Sequence, residues 1–424
     1  SVQMNRHFRQ ILVISLIIGL TISALACFLI PDEELQPFSG NGSMLVRSGS
    51  YIYLIGGYRD GVPTNAIYRA QITLDQAGDP QIGHWTAELP LPEGRVFGAA
   101  IAIGGYLYVI GGESETGPKA TVFITAIDSS DGSLGFGTDI PYWVDHKKGL
   151  PQPRSRMASA YHDGRIFLLG GIDREGTLLD TIIHTRIWIA ENGKTGSWYR
   201  SPATLPVPCE GAAADFSGNS LIVAGGRTED KLLRNAISYT AGDYGKLSAG
   251  TDLPDLPQPL ERIHLIEDAG TIRAAGGMTS EGVPADEILM LAEDGWTVSA
   301  TLGNPPFFPC LRFSGYIAGF TGLSVDTNSE LLLKDLDLAP GRPAVSPGSG
   351  YVRENLPLLS TAEPGTVIHY LENGEEGALP GKLDRELSED DGYRFSEDPV
   401  AISLAAWDEP ADSHSAVTES SYIP

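Results

Sequence analysis

The sequence predicts an all-β protein whose largest part is a six-bladed β-propeller, followed by a small β-sandwich and preceded by a short apolar segment. The main observation is a repeated motif, which reads YIYLIGG at residues 51–57. Further copies read YLYVIGG at 106–112, RIFLLGG at 165–171, SLIVAGG at 220–226, TIRAAGG at 271–277 and, without the Gly pair, YIAGFTG at 316–322. Intervals of 45 to 59 residues indicate an array of similar supersecondary units.

Each unit has the pattern of four short strands. Runs of small residues at 96–101, 157–160 and 211–214 predict innermost strands, which are crowded by their neighbours near a propeller axis. The second strand ends at the Gly pair, and third strands are predicted at 65–72, 121–127, 181–190, 235–240 and 287–291. Trp85, Trp198 and Trp296 are expected to begin outer strands, with Phe136 in that place in the second copy.

A Leu-Pro element precedes the innermost strands. It reads LPEGR at 91–95, LPQPR at 150–154, LPVPC at 205–209 and LPQPLER at 256–262. Together with the Gly pair and the later aromatic residues, this pattern resembles the kelch repeat over residues 35–340. Six copies would imply six blades. The sixth departs most, with Thr321 for the first Gly and no Trp, and the segment before Ser43 is expected to supply its outer strand.

The register of the repeats stops at Pro340, and residues 341–350 are typical of a linker. Residues 351–424 resemble the immunoglobulin-like β-sandwich at the carboxyl end of chitobiases and β-hexosaminidases, through PGTVIHY at 364–370, ISLAAWD at 402–408 and SSYIP at 420–424. This piece has 16 Asp and Glu against 4 Lys and Arg, which favours a solvated surface; a calcium site at residues 389–391 is the alternative.

Residues 1–30 are typical of an export signal or membrane anchor, because Arg6, His7 and Arg9 precede an uncharged stretch at 11–30. The sequence before Cys27 resembles the lipobox of bacterial lipoproteins, although Ala24 stands where Leu is preferred. Lipidation of Cys27 is therefore expected; an uncleaved anchor and simple secretion are the alternatives. All three place the remaining chain outside the cytoplasm, in a bacterial cell envelope.

Composition excludes several functions. The formal net charge of −25 over 424 residues opposes binding to nucleic acid. The sequence has neither a G-x-S-x-G nor an H-E-x-x-H motif, and its scattered histidines give little support to a copper site of the galactose oxidase kind. No catalytic residue, metal or cofactor is predicted. Cys209 and Cys310 are expected to be separate buried thiols.

Four arginines are the candidate ligand-binding residues. Arg95 and Arg154 each lie sixteen residues before a Gly pair, and Arg156 and Arg262 each lie fourteen before one. The repetition predicts that they lie near one rim of the axial funnel, where a guanidinium suits a carboxylate. The other interpretation is that these arginines tie blades together through backbone carbonyls. Candidates for an acid or base nearby are Glu93, Glu113 and Glu261.

The sequence therefore favours a monomeric, non-catalytic envelope protein that recognises a glycan or protein partner through the propeller. The resemblance to kelch proteins also implies an alternative, a carbohydrate-active enzyme of the N-acetylneuraminate mutarotase kind. A third possibility is a structural protein whose rim loops dock a partner in the envelope.

Overall fold

The computed structural model describes most of the repeat array and a set of strands after it. The described residues are 41–75, 80–136, 143–145, 148–302, 310–313, 316–320, 331–335, 344–346, 350–351, 359–361, 367–372, 385–386, 400–408, 413–414 and 418–423. Within these ranges the regular elements are strands, apart from the 3-10 turns Ile189–Glu191 and Asp243–Gly245. No helix in this part of the chain is both long and apolar enough to cross a membrane. The predicted signal or anchor and Cys27 lie outside the described residues.

Five antiparallel sheets follow one another as blades 1 to 5, each ordered from an innermost strand outwards. Blade 1 contains Met44–Ser48, Tyr51–Ile55, Ile67–Leu74, Pro80–Ile82 and Thr86–Glu88; blade 2 contains Ala99–Ile103, Tyr106–Ile110, Val122–Ala126 and Val144–Asp145; blade 3 contains Ala158–His162, Arg165–Leu169, Thr181–Trp188, Lys194–Thr195 and Tyr199–Thr204. Blade 4 contains Ala213–Ser217, Ser220–Ala224, Ala236–Thr240 and Thr251–Leu253, and blade 5 contains His264–Asp268, Thr271–Ala275, Glu287–Ala292 and Gly295–Thr301. Small hairpins pair Tyr58–Arg59 with Val62–Pro63 and Glu113–Ser114 with Gly117–Pro118.

The sixth copy forms a sheet of three described strands, Cys310–Phe313, Tyr316–Phe320 and Leu331–Asp335. Its first strand contacts the innermost strands of blades 5 and 1. The described array therefore has five blades, and the prediction of six was wrong for this part of the chain. The sixth copy is the one whose motif has lost the first Gly and the outer Trp. The segment expected to complete it, before Ser43, lies outside the described residues except for its last two.

After the array, Ala344–Ser346 pairs with Leu359–Thr361. A second sheet contains Gly350–Tyr351, Val367–Glu372, Arg385–Glu386, Val400–Asp408, Ser413–His414 and Thr418–Ile423. These strands agree with an all-β segment. The resemblance to the chitobiase sandwich stays a prediction, and the acidic run at 389–391 is not among the described residues.

The Gly pairs join each blade to the next. The N–H of the second Gly donates to the carbonyl of the fifth residue of the following Leu-Pro element. These bonds join Gly57 to Arg95 (3.0 Å), Gly112 to Arg154 (2.9 Å), Gly171 to Cys209 (2.8 Å) and Gly226 to Leu260 (2.8 Å). The first Gly has positive φ in all five copies. A Cβ at Gly56, Gly111, Gly170 or Gly225 would overlap that same carbonyl oxygen. The pair is therefore required by the contact between blades as well as by the backbone.

Aromatic residues make a second set of links between blades. The hydroxyl of Tyr53 donates to the Gly132 carbonyl of blade 2, and that of Tyr108 donates to the Gly193 carbonyl of blade 3, both at 2.6 Å. Trp85 and Trp198 directly precede outer strands, and Trp296 is the second residue of one, so all three mark the outer strands as predicted. In blade 2 this place belongs to Trp143, directly before Val144–Asp145, and the expectation for Phe136 was wrong. Phe136 instead packs against Tyr106 of the second strand.

Candidate functional site

Arg154 is part of the interior of blade 3. Its side chain is 1% exposed and donates to the carbonyls of Gly170 and Thr181, each at 2.9 Å, and to Oγ1 of Thr181 at 2.6 Å. Burial lowers its pKa to about 10. The guanidinium thus satisfies backbone carbonyls at the end of the second strand and the start of the third.

Arg95 occupies the equivalent position in blade 2 and is fully buried. Its guanidinium donates to Oγ1 of Thr121 (3.1 Å) and to Glu93 (3.2 Å), and it lies 5.4 Å from the ring centroid of Phe123. Glu93 also pairs with Lys119 at 2.7 Å. Burial raises the pKa of Glu93, but the hydrogen bond from Lys119 and the charge of Arg95 outweigh it and lower the pKa below its usual value. Neither Arg95 nor Arg154 lines the axial pocket.

Arg156 and Arg262 belong to a row of five residues that we call the collar, each of which lies two residues before an innermost strand. Its members are Gly42, Phe97, Arg156, Gly211 and Arg262, all with φ between 54° and 75°. The N–H of each member after Gly42 donates to the carbonyl of the member before it, at 2.7, 2.8, 2.9 and 2.7 Å in chain order. Three of the five are not glycine, so these four hydrogen bonds offset a backbone conformation that side chains disfavour.

The collar surrounds the mouth of an axial pocket of about 310 Å³. The first residues of the innermost strands form its wall, and most are small. The wall includes Gly98, Ala99, Ala100, Ala158, Ser159, Ala212, Ala213 and Ala214, together with Leu45, His264 and Leu265. Burial lowers the pKa of His264 to about 4, so its imidazole is neutral at physiological pH. The pocket is therefore an uncharged chamber with charged groups at its mouth.

The ring of Phe97 lies across this mouth. Its centroid is 4.5 Å from Cζ of Arg156 and 4.9 Å from Cζ of Arg262, which come from blades 3 and 5. Tyr58 of blade 1 meets the ring edge-on at 6.0 Å. Guanidinium groups this close to an aromatic ring make favourable cation–π contacts. One side chain from blade 2 thus contacts residues from three other blades.

A chain of ion pairs, the charged belt, runs beside the collar. Its members in order are Glu113, Arg156, Glu210, Arg227 and Glu261, with N···O distances of 2.8, 3.5, 3.6 and 3.8 Å. Ser155 also donates to Glu113 at 2.9 Å. Burial lowers the pKa of Arg156, but the hydrogen bond and charge of Glu113 outweigh it and raise the pKa. The belt places carboxylates from blades 2, 4 and 5 against arginines at the mouth.

Arg262 differs from the arginines of the belt. Its Nη1 donates to the side-chain oxygen of Asn41 at 2.9 Å. Among the described residues, no carboxylate lies within salt-bridge distance of its guanidinium. Burial lowers its pKa, and the neighbouring charges of Glu261 and Arg156 act in opposite directions. Arg262 therefore presents N–H donors that no described carboxylate takes up.

A polar layer on the innermost strands links blades 4 and 5 with the partial sheet. The carboxylate of Asp215 accepts hydrogen bonds from the N–H of Phe216 (2.8 Å) and from that of Glu267 in the next blade (3.1 Å), and Arg312 donates to the Glu267 carbonyl. Burial raises the pKa of Asp215 to about 7, with the charge of Glu267 adding to it. Because its partners are backbone groups of two adjacent strands, the layer joins those strands.

The described residues contain no group of three or more His, Cys, Asp or Glu side chains that could hold a metal ion. Cys209 is buried and forms no disulfide, and burial raises the pKa of its thiol to about 11. A thiol of that pKa is a poor nucleophile at neutral pH.

The structure thus separates the four predicted arginines into two pairs. Arg156 and Arg262 meet at the mouth, whereas Arg95 and Arg154 lie inside blades. Of the predicted acids, Glu113 and Glu261 belong to the belt, and Glu93 lies with Arg95. Sequence reasoning missed Glu210, which lines the pocket, and Arg227, which pairs with it. Aligned repeats contain the signal, because Glu113 and Arg227 directly follow Gly pairs and Glu210 and Glu261 directly precede collar residues.

Comparison with known proteins gives partial matches. No family model matches the chain. It is similar to Kelch repeat and BTB domain-containing protein 1 of cowpox virus (26% identity over 191 residues, 45% of this chain) and of horsepox virus (25% over 189 residues, 45% of this chain). The chain spans 29% of the length of each of these curated relatives.

A solved structure, that of YjhT, is similar with a TM-score of 0.50 over 77% of this chain and 98% of YjhT. At 14% identity this similarity concerns the fold alone. The kelch-repeat relatives and the arrangement of five blades together support a kelch β-propeller.

Proposed function

We propose that this chain is a non-catalytic binding protein of the cell envelope, which recognises a glycan or protein partner through the face of the propeller that carries the axial pocket. The observation that carries the proposal is the mouth of that pocket, where Arg156 and Arg262 converge above an uncharged chamber. The kelch-repeat relatives and the propeller fold support a protein-interaction module. The envelope location and the glycan alternative rest on the sequence.

The chemistry of the mouth favours a partner that presents a carboxylate. Arg262 has donors that no described carboxylate takes up, and a guanidinium binds a carboxylate through two parallel hydrogen bonds. A net charge of −25 disfavours anionic partners at long range, so recognition of one acidic group depends on this local cluster. An acidic sugar or an acidic side chain of a protein would fit.

A second candidate is a carbohydrate-active enzyme of the N-acetylneuraminate mutarotase kind. One observation favours it: Glu113 and Glu210 are held against Arg156 at the pocket mouth, 2.8 and 3.5 Å from its nitrogens. A carboxylate beside a ligand-binding arginine is the arrangement that proton transfer to a bound sugar would need.

The test is a set of melting temperatures of the purified protein with N-acetylneuraminic acid, neutral chitin oligomers and acidic peptides. A ligand at 100 times its Kd should stabilise the native state by about 2.7 kcal/mol. We expect a carboxylate-bearing ligand to raise the melting temperature of the native protein and of Arg234→Gln, but not that of Arg262→Gln. Arg234 is a suitable control because its pair with Asp255 is half exposed and lies away from the pocket lining.

A shift that persists in Arg262→Gln would contradict the proposed site. Turnover of N-acetylneuraminic acid between its anomers, lost in Glu113→Gln, would replace the binding proposal with the enzymatic one.

The envelope part of the proposal has its own test. Lipidation of Cys27 predicts that the expressed protein incorporates labelled palmitate and partitions into detergent, and that Cys27→Ser does neither. If the native protein incorporates no palmitate, the lipidation proposal is wrong, and an uncleaved anchor or simple secretion remains as the explanation of the amino-terminal segment.

A further inference from the structure

We infer that Tyr199 and Tyr244 form a second binding site, for a neutral oligosaccharide, at the outer rim between blades 3 and 4. The site goes beyond the proposed function, because neither tyrosine belongs to the lining of the axial pocket. Seven large apolar side chains are exposed in the described part of the chain, and these two are its aromatic members. They come from different blades, and contacts with one histidine bring them together.

The ladder of blade 3 places Tyr199 at the outer end of a row of side chains. Ala160, Phe167, His184 and Tyr199 are directly paired across four of its strands, so they point to the same face of the blade. Ring centroids are 5.4 Å apart for Phe167 and His184 and 5.9 Å apart for His184 and Tyr199. Blade 4 covers the inner part of this row, with Phe216 at 5.3 Å from Phe167, whereas Tyr199 is 60% exposed. The Tyr199 ring is therefore supported on its inner side and open to solvent on the other.

The turn Asp243–Gly245 of blade 4 brings the second ring to the same place. A Cβ at Gly245 would lie 2.8 Å from Nδ1 of His184, so the turn packs directly on the imidazole that supports Tyr199. The side chain of Tyr244, the residue before that Gly, is 50% exposed. Exposed rings from two neighbouring blades thus adjoin one buried side chain.

The fold does not require an aromatic residue at the position of Tyr199. In the other four described blades the equivalent row ends in a β-branched residue. These residues are Thr86, Val144, Thr251 and Thr297.

The backbone of Tyr244 is unfavourable for a bulky side chain. Its φ of 60° lies in the left-handed region, and half of the side chain is exposed, so burial does little to offset the strain. The matching turn of blade 3, where Gly193 packs on Tyr106 as Gly245 packs on Arg165, has Asn192 at this position with φ 59°. Asn tolerates that conformation far better than Tyr. A residue that breaks a local rule without a structural gain is typical of a functional site.

The chemistry of the two rings favours a sugar. The C–H face of a pyranose stacks on an aromatic ring, because its C–H bonds are weakly positive and the face of the ring is negative. Asp243 and Lys246, exposed in and beside the turn, offer hydrogen-bonding groups to sugar hydroxyls. Burial, with the charge of Arg165 adding to it, lowers the pKa of His184 to about 4, so the imidazole under the site is uncharged at neutral pH.

A protein partner fits this surface less well. Of the five exposed valines in the described chain, four belong to blades 1, 2 and 5. Few large apolar side chains therefore surround the two rings, whereas a protein interface of ordinary size buries about 800 Å² per partner.

The experiment measures the binding of three neutral hexasaccharides, chitohexaose, cellohexaose and maltohexaose, by isothermal titration calorimetry. We expect at least one to bind the native protein, and its affinity to fall at least tenfold in Tyr199→Thr and in Tyr244→Asn. Both variants carry the residue that another blade has at that position, so both are expected to fold, and Tyr244→Asn should melt no lower than the native protein. Val298→Thr is the matched control, since it removes an apolar side chain that is 53% exposed on blade 5, and it should bind as the native protein does.

Three results would overturn the inference. None of the three sugars binds, or a sugar binds the native protein and both tyrosine variants equally, which places it elsewhere, the axial pocket included. The third is a dimer of the native protein in sedimentation velocity that Tyr199→Thr abolishes, which would assign the rings to a protein contact.

Discussion

Arg154 and Arg156 lie two residues apart, yet they belong to different parts of the molecule. Arg154 is 1% exposed and its hydrogen bonds go to its own blade, whereas Arg156 lies at the mouth of the axial pocket and pairs with carboxylates of blades 2 and 4. Arg95 and Arg262 repeat this contrast in blades 2 and 5. Position within the repeat, rather than residue type, therefore decides whether an arginine supports a blade or faces a ligand.

The largest expected effect is that of removing the buried member of the pair. Arg154→Ala deletes a buried guanidinium together with its hydrogen bonds to the Gly170 carbonyl and to the carbonyl and Oγ1 of Thr181. The Thr181 carbonyl then keeps only the N–H of Gly170. Because hydrogen bonds to charged groups contribute about 1.5–3 kcal/mol each, we expect a loss of about 3 kcal/mol or more in the free energy of unfolding. Urea denaturation measures it. A loss below about 1 kcal/mol would show that Arg154 does not support the blade.

A second prediction concerns the link between blades at the Gly pair. Gly111→Ala puts a Cβ onto the Arg154 carbonyl oxygen at a positive φ of 58°. Gly176→Ala is the matched control, since it shares the positive φ (82°) but meets no atom within 4 Å. We expect losses of about 3 kcal/mol for Gly111→Ala and about 1 kcal/mol for Gly176→Ala. Similar melting temperatures for the two variants would mean that the carbonyl contact has no role.

The third prediction is a pH dependence at the polar layer. Because the pKa of Asp215 is raised to about 7, the native state binds more protons than the unfolded state between about pH 4 and pH 7. Its contribution to the free energy of unfolding therefore falls as the pH rises through this range. His184 and His264, whose pKa values are lowered to about 4, contribute the opposite slope below pH 6.5.

The measurement that isolates Asp215 is therefore the difference in the free energy of unfolding between the native protein and Asp215→Asn, followed as a function of pH. The variant should gain stability relative to the native protein as the pH rises from 4 to 7, by about 3 kcal/mol, because each pH unit between the two pKa values contributes about 1.4 kcal/mol. If the free energies of unfolding of the two proteins change in parallel with pH, Asp215 does not titrate in this range.

The smallest effect on stability is expected for the pocket arginine. Arg156→Gln removes partly exposed ion pairs with Glu113 and Glu210, and such pairs contribute about 1 kcal/mol or less. We expect a change within about 1 kcal/mol in urea denaturation, together with loss of ligand-induced stabilisation. A loss as large as that of Arg154→Ala would remove the distinction between the two arginines.

Much of the propeller could be predicted because each blade repeats the same local pattern. Contacts within a repeat, or between a repeat and the next, determine the Gly pair, the small residues of the innermost strands and the positions of Trp85, Trp198 and Trp296. Such contacts leave the same residue types at the same positions of each repeat, so they are visible in the sequence. Trp143 was missed because more residues separate it from the third strand than separate Trp85 and Trp198 from theirs, so spacing pointed to Phe136. The sixth copy has lost the residues that mark a blade, and the structure describes three strands there.

The candidate site was less predictable, because it depends on how blades are arranged around the axis. The repeats predicted that Arg95, Arg154, Arg156 and Arg262 lie near one rim of the axial funnel. They could not show that a difference of two positions within the repeat separates a buried arginine from one that lines the pocket. The collar left a weak signal, with Gly42 and Gly211 at equivalent positions. The contact between Phe97 and Arg262 joins residues far apart in sequence, and no local pattern predicts it.

The most direct measurement of the central claim is arginine side-chain NMR during a titration with the carboxylate-bearing ligand found in the melting assay. Substitution by lysine assigns the Nε–H signals of Arg95, Arg154, Arg156 and Arg262. We predict that the signals of Arg156 and Arg262 shift with ligand while those of Arg95 and Arg154 do not. Shifts confined to Arg95 and Arg154, or no response from any of the four, would contradict the account.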